Sequence, residues 1–312
     1  MSTVLILSRH ADAYRDLLEA ARLPELEIVA ASDVDAAAAR GADADLVFGE
    51  PSLIRHILPR LPRLRWVQST WAGVEPLLDP ALRRDYTLTN ARGVFGGLMS
   101  EYVFGYLLAH ERLILQKHAS QREGKWDPAP PGTLRGKHIG LVGVGSIGAV
   151  LARTAKHFGM RVKGYTRASE DCRDVDAYFH GGDRLGFAAD LDYLVTVVPN
   201  TAATRQLVDA ALLAGLPPRA VFVNPGRGSV VDETALADAL RQGRLAEAVL
   251  DVFQQEPLPP DHVFWRTPNV IITSHTAALS FPSDIAPVFI ENYRRLLDGQ
   301  SLRWQVDFER GY

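Results

Sequence analysis

Short apolar runs and amphipathic stretches alternate along most of the chain. "TVLILS" (3–8), "LEIVAAS" (26–32), "ADLVFG" (44–49) and "LRWVQST" (64–70) are apolar runs of buried-strand length. Between the first two, "YRDLLEAARL" (14–23) carries its leucines at helical spacing. This rhythm predicts βαβ units, with a parallel sheet covered by helices on both faces.

The pattern changes after Asn90. "GGLMSEYVFGYLLAHERLILQKH" (96–118) reads as one long helix, capped by Ser100 and with Glu101 near its positive end. "EGKWDPAPPGTLRGK" (123–137), rich in Pro and Gly, suits a linker or a wrapping loop. A second series then begins. "HIGLVGV" and "MRVKGYT" read as strands flanking the helix "IGAVLARTAKHF", which Gly159 closes. "YLVTVVPN" (193–200), "AVFVNPG" (220–226), "AEAVLDV" (246–252) and "VIITSH" (270–275) are further strands. "VDETALADALRQGRL" (231–245) is an amphipathic helix with Asp232 as N-cap, and "PSDIAPVFIENYRRLLDGQ" (282–300) is a final helix that packs back on the first unit.

Composition narrows the class. A length of 312 residues suits two domains. A net charge of −3 without a basic stripe argues against a nucleic-acid partner. No apolar run reaches the ~18 residues of a membrane span, so no membrane partner is expected. Cys172 is the single cysteine, which rules out an intrachain disulfide and suits a reducing, cytoplasmic setting. Its neighbours in "EDCRD" are acidic and disfavour a reactive thiolate.

The glycine turn carries the first candidate chemistry. "GLVGVGSIG" places G-x-G-x-x-G at Gly143, Gly145 and Gly148, after a strand and opening a helix. Gly143 serves a tight turn, Gly145 a close approach of backbone to pyrophosphate, and Gly148 the packing of helix on strand. The amides of Ser146 and Ile147 then face the pyrophosphate. The fingerprint expects an acid about 20 residues on, accepting from the adenosine ribose. The chain has Thr166 there, followed by Arg167. A threonine does not repel a 2′-phosphate, and Arg167 is able to pair with one. NADP(H) is therefore expected over NAD(H), with NAD(H) still usable. Lys163 has the wrong phase on its strand for the main contact, and Ser169 offers a further hydroxyl.

Three more stretches end strands in the same sense. "VNPGRGSVVDETAL" (223–236) holds Arg227, "LDVFQQEPLPPDHVFW" (250–265) holds Glu256, and "PNVIITSHTAA" (268–278) holds His275. Ligands of open parallel sheets bind outside the carboxyl ends of the strands. An Arg, a Glu and a His converging there form a set suited to acid–base work and carboxylate binding.

These motifs, in this order and spacing, resemble the D-isomer-specific 2-hydroxyacid dehydrogenase family over roughly residues 60–280. The missing acid after the second strand resembles its NADPH-preferring glyoxylate/hydroxypyruvate reductase branch. The resemblance implies two doubly wound α/β domains with a cleft between them. A smaller, flavodoxin-like substrate domain spans 1–98 and 281–312, and a Rossmann-type dinucleotide-binding domain spans 99–280. It implies hydride transfer between NADP(H) and a small 2-oxo acid, with Arg227 clamping the substrate, His275 moving the proton and Glu256 orienting His275. By the same resemblance, Val198, Pro199, Thr204, Asn224, Pro225, Gly226 and Asp251 lie along the cofactor. Ala72, Gly73 and Val74 offer amides to the substrate carboxylate. Trp71 is either pocket wall or core, and Met99 either lines the pocket or packs as a buried Met. A homodimer is implied and no metal is required. Two alternatives share the fold: a formate-type dehydrogenase, which has Gln where this chain has Glu256, and a nucleotide-sensing corepressor, which binds without turnover.

Overall fold

The computed structural model describes all 312 residues, which divide into two compact units. The first comprises Met1–Val94 and Ser280–Tyr312, the second Phe95–Leu279.

The first unit opens with β1 (Ser2–Leu7), α1 (Ala11–Ala20), β2 (Leu26–Ala31) and α2 (Val34–Arg40). It continues through β3 (Leu46–Gly49), α3 (Pro51–Ile57), β4 (Trp66–Ser69) and β5 (Thr87–Thr89). The second unit begins with α4 (Gly96–Glu111) and α5 (Ile114–Arg122), then β6 (His138–Val142), α6 (Ser146–His157), β7 (Arg161–Tyr165) and β8 (Ala177–Phe179). It ends with α7 (Arg184–Ala188), β9 (Tyr193–Thr196), α8 (Ala210–Gly215), β10 (Val221–Asn224), α9 (Glu233–Arg241), β11 (Glu247–Leu250) and β12 (Val270–Ile272). α10 (Pro282–Leu297) returns the chain to the first unit.

Both sheets are wholly parallel. The first has the order β2-β1-β3-β4-β5, the flavodoxin arrangement. The second has the order β12-β11-β10-β9-β6-β7-β8, with its order reversing between β6 and β9 as in a Rossmann sheet. Both faces of the second sheet are buried. Leu194, Phe222 and Ala248 pack into one core, while Tyr193, Val195, Val221 and Val249 pack into another. That is why these strands read as continuous apolar runs. In the first unit, α10 lays Phe289 between Phe48 and Trp66, with ring centroids 4.9 and 5.0 Å away. Buried Asn292 of α10 donates to Gln68 Oε1 at 3.1 Å, which fixes the helix against the sheet.

Several details differ from the sequence reading. The long helix expected over 96–118 is two helices, because Leu113 adopts a left-handed backbone (φ 55°) between α4 and α5. Its N-cap is Phe95; Ser100 lies inside it and hydrogen-bonds Thr154 Oγ1 at 2.8 Å. α4 starts at Gly96, so its whole first turn belongs to the second unit, where the sequence reading divides at 98/99. The strands β5 ("TLT") and β8 ("AYF") carry no legible sequence signal, being three residues each among polar neighbours.

Candidate active site

β6 hands the chain to α6 through the glycine turn. Gly143 has φ +96°, a conformation that suits glycine, and its amide donates to the Tyr165 carbonyl at 2.9 Å. A Cβ on Gly148 would lie 2.2 Å from the Gly143 carbonyl oxygen, so helix and turn approach as closely as the fingerprint requires. Gly145 is the N-cap and no side chain caps α6. The amides of Ser146 and Ile147 therefore keep free hydrogens at the positive end of a 12-residue helix. This cradle of glycine backbone and uncapped amides fits a dinucleotide pyrophosphate.

Beyond the end of β7, Thr166 Oγ1 donates to the Ser169 carbonyl at 2.7 Å and closes a tight turn. Arg167 sits on that turn, exposed and without a salt bridge. Lys163 is engaged by Asp190, away from this turn. No carboxylate occupies the ribose-binding position, so the turn fits a phosphorylated ribose.

Arg227 follows β10. Its turn is shaped by buried Asn224, whose Oδ1 accepts from Thr196 Oγ1 (2.7 Å) and the Gly226 amide (3.2 Å). Asn224 Nδ2 donates to the Arg227 carbonyl at 3.0 Å. A Cβ on Gly228 would lie 1.9 Å from the Phe253 carbonyl carbon, so the turn is pressed against the loop after β11. Asn224 thus spends its side chain on holding Arg227.

That neighbouring loop carries Glu256. Its Oε1 accepts from the Phe253 amide at 2.9 Å, and its Oε2 lies 2.7 Å from His275 Nδ1. The ionised Oε2 only accepts, so Nδ1 carries a proton and Nε2 is left to face a ligand. The side chains of His275 and Glu256 are 57% and 34% exposed, so the pair is reachable from solvent. The hydrogen bond to Glu256 raises the His275 pKa above its ordinary value, outweighing the opposing effect of burial. For Glu256, burial works against ionisation, but the bonds from His275 and the Phe253 amide prevail and lower its pKa. Arg227 lies near enough to favour the carboxylate and to oppose the imidazolium, both as smaller effects.

Asp251 underlies this arrangement in a way the sequence does not reveal. Its carboxylate is buried and accepts from Thr273 Oγ1 (2.5 Å), the Thr276 amide (2.8 Å) and the Ala277 amide (3.0 Å). Its carbonyl accepts from the His275 amide at 2.8 Å. Four bonds from one residue hold His275 in a left-handed backbone (φ 55°). Tyr102 of α4 adds a bond to Thr273 Oγ1 at 2.9 Å.

The remaining predicted residues are placed as follows. Val198 is half-buried, while Pro199 is exposed and its carbonyl accepts from Thr204 Oγ1 at 2.6 Å. Thr204 lies in a turn rather than at a helix start, and its Oγ1 also accepts from the Thr201 amide at 2.9 Å. Pro225 and Gly226 are buried beside Arg227. In the first unit, the loop after β4 fixes its carbonyls. Ala91 donates to the Trp71 carbonyl (3.1 Å) and Asn90 Nδ2 to the Ala72 carbonyl (2.9 Å). The amides of Ala72, Gly73 and Val74 have no protein acceptor. Trp71 and Met99 are half-buried.

Residues 104–277 match the family described as D-isomer specific 2-hydroxyacid dehydrogenase, NAD binding domain. A glyoxylate/hydroxypyruvate reductase A from Serratia proteamaculans is 32% identical, with 93% of each chain covered. A solved D-isomer specific 2-hydroxyacid dehydrogenase family protein from Aeromonas salmonicida is 42% identical, with a TM-score of 0.94 and 98% of this chain and 99% of that one covered. An NADPH-dependent glyoxylate/hydroxypyruvate reductase from Sinorhizobium meliloti, solved with NADP and sulfate, is 28% identical, with a TM-score of 0.88 and full coverage of both chains.

Proposed function

The chain belongs to the D-isomer specific 2-hydroxyacid dehydrogenase family, and from that premise we propose that it reduces a small 2-oxo acid to the 2-hydroxy acid with NADPH. Glyoxylate and hydroxypyruvate are the leading substrates. The observation that carries this reading is the Glu256–His275 hydrogen bond, braced beside Arg227 in the unit that holds the uncapped glycine turn.

When bound, the nicotinamide supplies a hydride to the 2-oxo carbon. Gly143, Gly145, Ser146, Ile147 and Gly148 would hold the pyrophosphate, Thr166 and Arg167 the adenosine end, and Val198, Pro199, Thr204, Pro225 and Gly226 would lie along the cofactor. Arg227 grips the substrate carboxylate and 2-oxo oxygen, and its charge stabilises the negative charge developing on that oxygen. His275 would donate its Nε2 proton to the 2-oxo oxygen, which becomes the hydroxyl oxygen. Glu256 holds the ring through Nδ1 and offsets the imidazolium charge. The amides of Ala72, Gly73 and Val74 are assigned to the carboxylate, with Trp71 and Met99 shaping side-chain selectivity.

The intact Glu256 favours this reading over a formate-type reaction, and the complete Arg–Glu–His set favours it over a corepressor. No helix is long and apolar enough to cross a membrane. A cytoplasmic homodimer is the assembly we propose. Its support is the segment after α4: α5 buries none of its side chains, and Ile114, Leu115 and Trp126 are exposed. The test of function is NADPH oxidation with glyoxylate, hydroxypyruvate, pyruvate and phenylpyruvate. Turnover with the first two supports the proposal, and no turnover with any sinks it. Light scattering tests the dimer, which a monomeric mass would refute.

A further inference from the structure

The turn that carries Arg167 also carries negative charge. Glu170 and Asp171 follow it directly, and both are exposed. A 2′-phosphate docking on Arg167 would meet these carboxylates, and like charges at that range oppose binding. The structure answers this with β8, the strand beside β7.

His180 follows β8 and reaches back to the turn. Its Nδ1 lies 3.0 Å from the Thr166 carbonyl oxygen, and its Nε2 lies 2.7 Å from Glu170 Oε1. A carbonyl accepts only, and so does an ionised carboxylate. With both ring nitrogens facing oxygen acceptors, the arrangement suits the doubly protonated, positively charged ring, and the bond to Glu170 raises the His180 pKa. The Thr166 amide in turn donates to the Phe179 carbonyl at 3.1 Å, so turn and strand end are joined in both directions. Two residues earlier, Tyr178 clasps the same segment: its Oη accepts from the Cys172 amide (2.9 Å) and donates to the Cys172 carbonyl (3.2 Å). Asp171 is held by Ser169 Oγ at 3.0 Å.

We propose that His180 is a specificity-determining positioning residue for the cofactor: held beside the turn, it cancels the charge of Glu170, so that the Thr166–Ser169 turn accepts a 2′-phosphate on Arg167. This rests on the NADPH reading above. His180 does not touch the phosphate; it acts through Glu170 and the turn. Its effect therefore falls on NADPH and not on NADH.

The test is calorimetric titration of the full chain with NADPH and with NADH. The variants are R167A, H180Q, E170Q and H180Q/E170Q. H180Q leaves Glu170 bare, and NADPH is expected to bind about 5-fold more weakly, the size of one unscreened charge near the surface. NADH affinity should hold within about twofold. E170Q should match the wild type, and the double variant should regain NADPH affinity because the Glu170 carboxylate is gone while Asp171 is unchanged from the wild type. An unchanged NADPH/NADH ratio in H180Q overturns the inference. So does equal weakening of both cofactors, or a double variant as weak as H180Q, since either result marks a merely structural role. If H180Q does not fold, H180K keeps a donor and a charge against Glu170 and should retain the preference; its loss overturns the inference. A wild type with no preference removes the NADPH reading and the inference together. A preference abolished by R167A but untouched by H180Q removes the inference alone.

Discussion

The two ends of the nucleotide-binding unit are held by different means. At the end we propose for the substrate, Arg227, Glu256 and His275 are held by buried groups: Asn224 and Asp251 are each about 1% exposed, and Gly228 leaves no space against Phe253. At the adenosine end, the Thr166–Ser169 turn is secured by side-chain bonds at the surface, with His180 one-third and Glu170 three-fifths exposed. Proton transfer to a carbonyl oxygen needs a donor placed to within a fraction of an ångström. Choosing between NADPH and NADH needs mainly the right charge in the right place, and charge acts over several ångströms even through water. The groups that hold the proposed acid–base set therefore lie in the core, while the proposed selecting turn is held at the surface.

That contrast is open to attack by mutation, and the largest effects belong to the buried end. His275→Ala removes the proton donor and should lower kcat by ~10²-fold or more; turnover near wild type in a steady-state assay would refute its role. Asp251→Asn puts an NH₂ where three donors converge, so one buried donor loses its acceptor. The loss should be about 2 kcal/mol of stability, read as a lower Tm, with kcat reduced as His275 comes loose. A variant with wild-type Tm and kcat would show that the buried brace is dispensable.

Glu256→Gln tests the electrostatics of the same end. The raised His275 pKa means the ring keeps its proton to higher pH than a free imidazole. Reduction, which needs the imidazolium, should persist to higher pH than a free imidazole would allow and decline as pH rises through that raised value. Oxidation of the hydroxy acid needs the neutral ring and should rise over the same range. Glu256→Gln removes the cause, so the falling limb for reduction should move to lower pH in a kcat/KM profile. An unmoved limb would mean the pair does not set the pH dependence. The smallest effect belongs to the surface end. Arg167→Ala should erode the NADPH-over-NADH ratio of kcat/KM by about 10-fold with kcat for NADPH nearly intact. Loss of kcat instead would mean the two ends are not separable.

Much of the buried end was legible in advance. Gly143, Gly148, Arg227, Glu256 and His275 sit in motifs whose local order reflects backbone demands within a few residues. The apolar runs marked ten of the twelve strands, because a parallel sheet buried on both faces leaves little room for polar residues. β5 and β8 leave no mark because their short apolar pieces are closed in by polar residues, as "AYF" at 177–179 is by Asp176 and His180, whereas the equally short β12 is wholly apolar. The break at Leu113 was also missed, since every residue around it is compatible with a helix and only the left-handed backbone reveals the turn.

The sequence by itself determined the doubly wound class, the glycine turn, the lack of an acid at Thr166 and which residues stand as candidates for the acid–base set. These depend on short-range patterns of apolarity, backbone conformation and side-chain chemistry. Tertiary structure alone decided what each group is bonded to. Asp251 meets the Ala277 amide across 26 positions of chain, and His180 meets Glu170 because β8 pairs beside β7. Hydrogen bonds act over about 3 Å, so only the folded sheet, which brings distant strand ends together, could assign Asp251 to bracing His275 and His180 to the cofactor turn.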